Sequence, residues 1–237
     1  MINPTPPAAV VEPRPTEYRE QGAGRHRMEQ AVEHIEDGIR NGLYLPGQRL
    51  VEAEVAANSG LGVGPVREAL RLLAGEGLVE VRPYRGAVVK RLSAEEIVQI
   101  YQAAKGVIYM SLTLAAPALE DAANRERLRA AVEHVRAFEE APITDLLRAV
   151  THYYLVLHDI AGNHYLTVLI RRLHLGLVHR EVANLHPTID RGRVVSAYAE
   201  AAEALLAGDA QRAIDIKMAY FDNYIEAIRK AGRAWTG

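Results

Sequence analysis

The chain has 237 residues, 49% of them hydrophobic, which is enough for two domains that each bury a core. It has no cysteine, which excludes disulfides, thiolate metal sites and a cysteine nucleophile, and its net charge of −2 gives no global sign of a polyanionic partner. It shows neither the apolar run of a signal peptide nor the roughly 18 uncharged apolar residues of a membrane span, so the expectation is a soluble, cytoplasmic protein with no membrane partner.

In chain order, residues 1–24 carry Pro4, Pro6, Pro7, Pro13 and Pro15 among alternating acids and bases, and read as a disordered tail. From 25 to 40, Met28, Ala31, Val32, Ile35 and Ile39 recur at three- and four-residue steps, the pattern of a helix with one buried face. Asn41-Gly42 ends it, and Leu43 to Gly47 makes a turn around Pro46. A short helix over 52–58 is broken by Ser59 to Gly64. A further helix over 65–76 opens on Pro65, buries Val66, Ala69, Leu70 and Leu73, and turns Arg67 and Arg71 elsewhere. Strands over 77–82 and 87–91 flank the turn Pro83-Tyr84-Arg85-Gly86. Three helices and a hairpin, in that order, predict a winged helix-turn-helix over 25–92. Between Gly60 and Leu92, six bases face three acids, which suits a phosphate-contacting surface.

Everything from 93 to 237 reads as helix. Ser93 and Glu96 form a capping box, and the helix they open is expected to stop at Ala116 before Pro117. Further helices are expected at 124–139, 144–161, 164–184, 190–207 and 209–231, a bundle of about six antiparallel helices. The fold class is thus mainly α: a winged helix-turn-helix followed by an all-helical domain. No Gly-rich phosphate loop, nucleophile elbow or paired acid motif is present, so no enzyme activity is expected. His174 and His179, five apart, do not share a helix face and are read as surface or interface residues, with His152, His164 and His186 flanking them.

The run Gly42-Leu43-Tyr44-Leu45-Pro46-Gly47-Gln48-Arg49-Leu50, the run Pro65 to Leu73 with Glu76-Gly77-Leu78-Val79, and Pro83-Tyr84-Arg85-Gly86 resemble the DNA-binding half of GntR-family regulators. Ala161-Gly162-Asn163 and Ala207-Gly208-Asp209-Ala210 resemble the FCD ligand-binding domain of the FadR subfamily. The resemblance covers about residues 28–227. It implies a homodimer that binds a palindromic double-stranded operator and releases it when a small-molecule effector occupies the helical domain.

The family normally carries a Ser/Thr-Arg-Thr run before the proline of the recognition helix. This chain has Gly62-Val63-Gly64, so the residue expected to fork onto a guanine is a valine, able to offer only apolar contact. Arg67, Arg71 and the Arg85-Gly86 wing remain as expected DNA contacts.

The resemblance also implies a divalent metal held by an Asp-x-x-x-His pair and two later histidines. Counting from the two glycine motifs places those positions on Val150, Tyr154, Tyr198 and Tyr220. A valine and three neutral phenols are poor ligands, so no metal or other cofactor is expected. The three tyrosines should still converge on a cavity, with His158 one turn beyond Tyr154 and Tyr101 facing in from the first helix of the bundle. Such a cavity favours an aromatic or largely apolar effector, or one bound by hydrogen bonds alone. The alternative is a helical small-molecule binding or interaction protein whose winged helix has lost specific DNA recognition. In either case, coupling between the domains is expected to pass through Lys90 to Ser93.

Overall fold

Residues 15–82, 86–185 and 189–235 are described by the structure, a computed structural model. The chain divides into two compact units, one from Met1–Gly38 and Arg49–Val88, the other from Ile39–Gln48 and Val89–Gly237.

The first unit contains most of α1 (Pro15–Asn41), then β1 (Arg49–Leu50), α2 (Glu52–Ser59), α3 (Val63–Gly75), β2 (Val79–Arg82) and the start of β3 (Gly86–Val89). Helix α1 begins at Pro15, ten residues before the expected start; residues 1–14 of the expected tail lie outside the described residues. Ala31 and Ile35 of α1, Val55 and Ala56 of α2 and Val66, Ala69, Leu70 and Leu73 of α3 are among the buried apolar groups, those of α1 and α3 at the helical spacing that their sequence predicts. Gly60 closes α2 in the left-handed conformation, φ 70°, which glycine adopts without a Cβ penalty.

Helix α3 starts at Val63, two residues before the expected Pro65. Proline fits there because the first-turn N–H groups of a helix have no intrahelical acceptor. At its other end, Leu78 N donates to Leu73 O at 3.0 Å across a left-handed Gly77, a Schellman-type ending. The wing is a three-stranded sheet in the order β1-β3-β2, with Arg49 opposite Val88 and Leu50 opposite Ala87 in antiparallel register. The two residues of β1 were not expected as a strand, being too short to show a period of two.

The second unit holds seven helices among the described residues: α4 (Ala94–Ala118), α5 (Ala122–Arg136), α6 (Ile143–Ile160), α7 (His164–Arg172), α8 (Leu175–Leu185), α9 (Arg191–Leu206) and α10 (Ala210–Trp235). The capping box at α4 is formed in full: Glu96 N donates to Ser93 Oγ at 3.2 Å, and Ser93 N donates to the Glu96 carboxylate at 2.9 Å. Lys90 pairs with the same carboxylate at 2.8 Å, and these contacts hold the Glu96 carboxyl down to about 2. Leu92 N donates to Glu181 of α8, so the segment after β3 is tied to the helical unit at both ends.

Helix α4 runs two residues past its expected end, with Pro117 in its last turn. The single helix expected over 164–184 is two, α7 and α8, separated at Leu173-His174, where His174 takes φ 47°. A left-handed histidine interrupts the backbone without a glycine or proline to announce it. Helix α10 packs along α4 and α9, while α6 packs on α4, α5 and α8, so α4, α6, α9 and α10 face a common interior. Among the described residues, no helix is long and apolar enough to cross a membrane.

Candidate functional site

Helix α3 buries Val66, Ala69, Leu70 and Leu73 and leaves Val63, Gly64, Arg67 and Arg71 exposed. Val63, Arg67 and Arg71 follow at four-residue steps and therefore form one stripe that starts at the helix N-terminus, just after exposed Gly62. Arg67 is held in a fork by Glu52 of α2: its Nε lies 3.1 and 2.9 Å from the two carboxylate oxygens and its Nη2 lies 2.7 Å from one of them. Hydrogen bonding from Arg67, with Coulombic help from Arg71, holds the Glu52 carboxyl below the usual carboxylate range. Glu52 was read in the sequence only as the start of a helix, since nothing local shows that it reaches a residue 15 positions on. On the wing, Gly86 is exposed with φ 69° at the start of β3, and Arg82 pairs with Glu80 at 2.7 Å. Arg85 lies outside the described residues.

In the helical unit, α6 presents Val150, Tyr154 and His158 at four-residue steps, α9 presents Tyr198, α10 presents Tyr220, and α4 presents Tyr101. Tyr101, Val150, Tyr154, Tyr198 and Tyr220 line one cavity, joined by His179, Phe221 and Tyr224. Its free volume is about 20 Å³, room for a single water, because the rings pack edge to face. Ring centroids lie 5.4 Å apart for Tyr154–Tyr198, 5.9 Å for Tyr198–Tyr220 and 5.1 Å for Tyr101–Tyr224. His158 is not on the cavity wall; it stacks behind Tyr154 at 6.4 Å. His179, expected at a surface or interface, is buried on α8. Burial pushes both His158 and His179 down to about 4 and raises the phenols of Tyr101, Tyr154, Tyr198 and Tyr220.

Lys217 is the residue that sequence reasoning missed. Its side chain is fully buried (0% exposed), and Nζ sits 3.1 Å above the Tyr198 ring centroid, 4.6 Å from that of Tyr220 and 5.5 Å from that of Tyr154. Nζ has no hydrogen-bond partner among the described residues, nor do the hydroxyls of Tyr101, Tyr154 and Tyr224. Burial pushes the lysine ammonium well below its usual range. A signal was available: Ala213, Lys217, Phe221 and Ile225 are buried at steps of four, so a lone lysine interrupts an apolar stripe.

A divalent metal does not fit this set. The Val150 side chain offers no donor atom, the three phenols are kept neutral by burial, and an amine stands over the ring of Tyr198. Next to the cavity, a groove of about 610 Å³ runs between α9 and α10, lined by Val194, Ala197, Ile216 and Ala219 among others. Tyr220 and Tyr224, stacked at 5.8 Å, line both the groove and the cavity.

Three helices and a small antiparallel sheet, with an exposed stripe on the third helix, define a winged helix-turn-helix joined to a helical domain. The chain matches the bacterial regulatory proteins of the gntR family over residues 27–89 and the FCD domain over residues 93–223. It belongs to the gntR family of transcriptional regulators with an FCD domain, and is not an enzyme.

It is 32% identical over 174 residues to a helix-turn-helix transcriptional regulator of Streptomyces ambofaciens, covering 69% of each chain. It is 27% identical over 146 residues to the regulator YdhC of Bacillus subtilis, covering 60% of this chain and 63% of that one. It is 33% identical over 81 residues to the Escherichia coli transcriptional repressor GlaR, covering 34% of this chain and 37% of that one. The match to YdhC thus spans a little under two thirds of that relative. The fold is shared with E. coli McbR/YncC, with a TM-score of 0.72 at 18% identity over 86% of this chain and 97% of that one.

Proposed function

We propose that the protein is a homodimeric cytoplasmic repressor that binds a double-stranded operator and leaves it when a small molecule occupies the metal-free, tyrosine-lined cavity. The observation that carries the DNA half is the Val63–Arg67–Arg71 stripe, solvent-exposed and starting at the N-terminal end of α3, the end that recognition helices present to base edges. Arg67 and Arg71 contact bases or phosphates, Val63 offers a methyl surface to thymine, and Gly62 and Gly64 let the backbone approach closely. The wing, with Arg85 and Gly86, lies along the phosphate backbone or in the minor groove. With valine in place of the usual arginine, the operator differs from the common family sequence. The convergence of Tyr101, Val150, Tyr154, Tyr198 and Tyr220 supports the effector half, with His158 bracing Tyr154. Lys90 to Ser93 carries the signal between the two.

The test is binding of the full chain to the DNA upstream of its own gene, read by fluorescence anisotropy across salt concentrations. Arg67→Ala and Arg71→Ala are expected to cost about 1–3 kcal/mol each and to lower the salt dependence where they meet phosphate. One observation favours a second reading: Glu52 already occupies the fork of Arg67, which fits a helix that has lost base reading. Equal affinity for the upstream DNA and for unrelated DNA would select that reading.

A further inference from the structure

We propose that the ligand of this cavity is an acid, whose carboxylate is received by Lys217 Nζ and the buried hydroxyls of Tyr101, Tyr154 and Tyr224. The inference rests on the reading of the cavity as the effector site and names the chemistry of its ligand. Among the described residues the interior holds one fully buried amine with no hydrogen-bond partner and four buried phenols in the same condition, of which Tyr101, Tyr154 and Tyr224 are on the cavity wall and Tyr153 is not. Every one of these groups can donate. What they lack in common is an acceptor that takes several hydrogen bonds at once, and a carboxylate offers about four lone-pair sites on two oxygens.

Charge makes the choice sharper. The rings of Tyr198, Tyr220, Tyr154 and Phe221 surround Nζ at 3.1 to 5.7 Å and keep water away from it. The fold has already stripped water from the amine, and a carboxylate arriving in this low dielectric favours its ammonium form, the amine taking up a proton from solvent as the ion pair forms. A neutral ligand such as an amide can accept a hydrogen bond through its carbonyl oxygen, but it brings no charge to hold the amine as an ammonium.

The geometry also supplies a route. Tyr220 and Tyr224 are half-buried and stacked, and they line both the 610 Å³ groove and the 20 Å³ cavity. Because these two rings belong to the walls of both spaces, swinging them aside would open the cavity toward the groove. The apolar body of the ligand then lies in the groove while its head reaches Lys217. The groove volume falls within the range of small-molecule sites, about 300–1,000 Å³.

The experiment is calorimetric titration of the full chain with benzoate, phenylacetate, hexanoate and octanoate, each beside its primary amide. Three proteins are compared: the unmodified chain, Lys217→Met, and Lys230→Met as a surface control on the same helix. Thermal melts of all three confirm that each is folded. In the unmodified chain and the control, at least one acid is expected to bind about 30-fold more tightly than its amide. In Lys217→Met that ratio is expected to fall to about one, with amide binding unchanged. Amides that bind as well as acids, or an acid preference that survives Lys217→Met, overturn the inference and leave the cavity reading standing. Silence of every compound with the unmodified chain overturns the cavity reading and the inference together.

Discussion

Replacing Lys217 by methionine should stabilise the ligand-free protein. The substitution keeps an unbranched side chain of similar length and removes the amine that sits, fully buried and without a hydrogen-bond partner, above Tyr198. Burying such a group costs about 1–3 kcal/mol. The thioether adds a sulfur–aromatic contact worth about 0.3–1.5 kcal/mol against rings already in place. The expected gain is therefore about 1–4 kcal/mol, or about 2–4 °C in Tm for each kcal/mol in a chain of this size. The difference also has a pH signature. Because burial lowers the folded pKa below the unfolded value of about 10.5, the penalty in the unmodified chain is full at low pH and fades as pH rises toward 10.5. Urea unfolding of both proteins at pH 7 and pH 9.5 measures the gap and its narrowing. A Lys217→Met protein less stable by about 1 kcal/mol or more at pH 7 would mean instead that the amine has a strong partner in solution.

Glu52→Gln should raise affinity for DNA of any sequence by several-fold at low salt, because it removes a carboxylate beside the exposed stripe and frees the fork of Arg67. Unchanged or weaker binding in anisotropy titrations would show that Glu52 serves instead to aim the arginine. Stability of the ligand-free chain should fall as pH drops from about 6.5 toward 4. His158 and His179 are neutral in the fold with pKa about 4, so in that window the unfolded chain binds more protons than the folded one. Urea midpoints from pH 7.5 to pH 4 would show it, and replacing both histidines with phenylalanine should flatten the curve at its acid end.

The exposed stripe of α3 was legible in the sequence because it follows local rules. The buried set Val66, Ala69, Leu70 and Leu73 repeats at helical spacing and thereby places Arg67 and Arg71 on the other side. The Ser93–Glu96 box declares the start of α4 in four residues. Where structure departed from expectation, the cause was long-range or conformational. The break at His174 is a backbone angle that no residue type there announces. The Glu52–Arg67 fork joins two helices, and a residue list cannot show it.

The cavity was legible in its residues and not in its size. Motif counting brings Tyr154, Tyr198 and Tyr220 together, but the space left between them depends on how the rings tilt, and they tilt to fill it. Lys217 escaped for a related reason. A lysine in a helix is read as solvated, and only the neighbours of its stripe show that this one faces inward.

The central claim is that occupancy of the helical domain controls DNA affinity. It is tested most directly by titrating the full chain into its own upstream DNA at several salt concentrations, with and without a saturating acid from the calorimetric panel. Affinity is expected to fall steeply with salt, by about 0.9 in log–log slope for each phosphate neutralised, and to drop at least about tenfold when the acid is present. By reciprocity, saturating DNA must weaken binding of the acid by the same factor. DNA affinity that is the same with and without bound acid would contradict it.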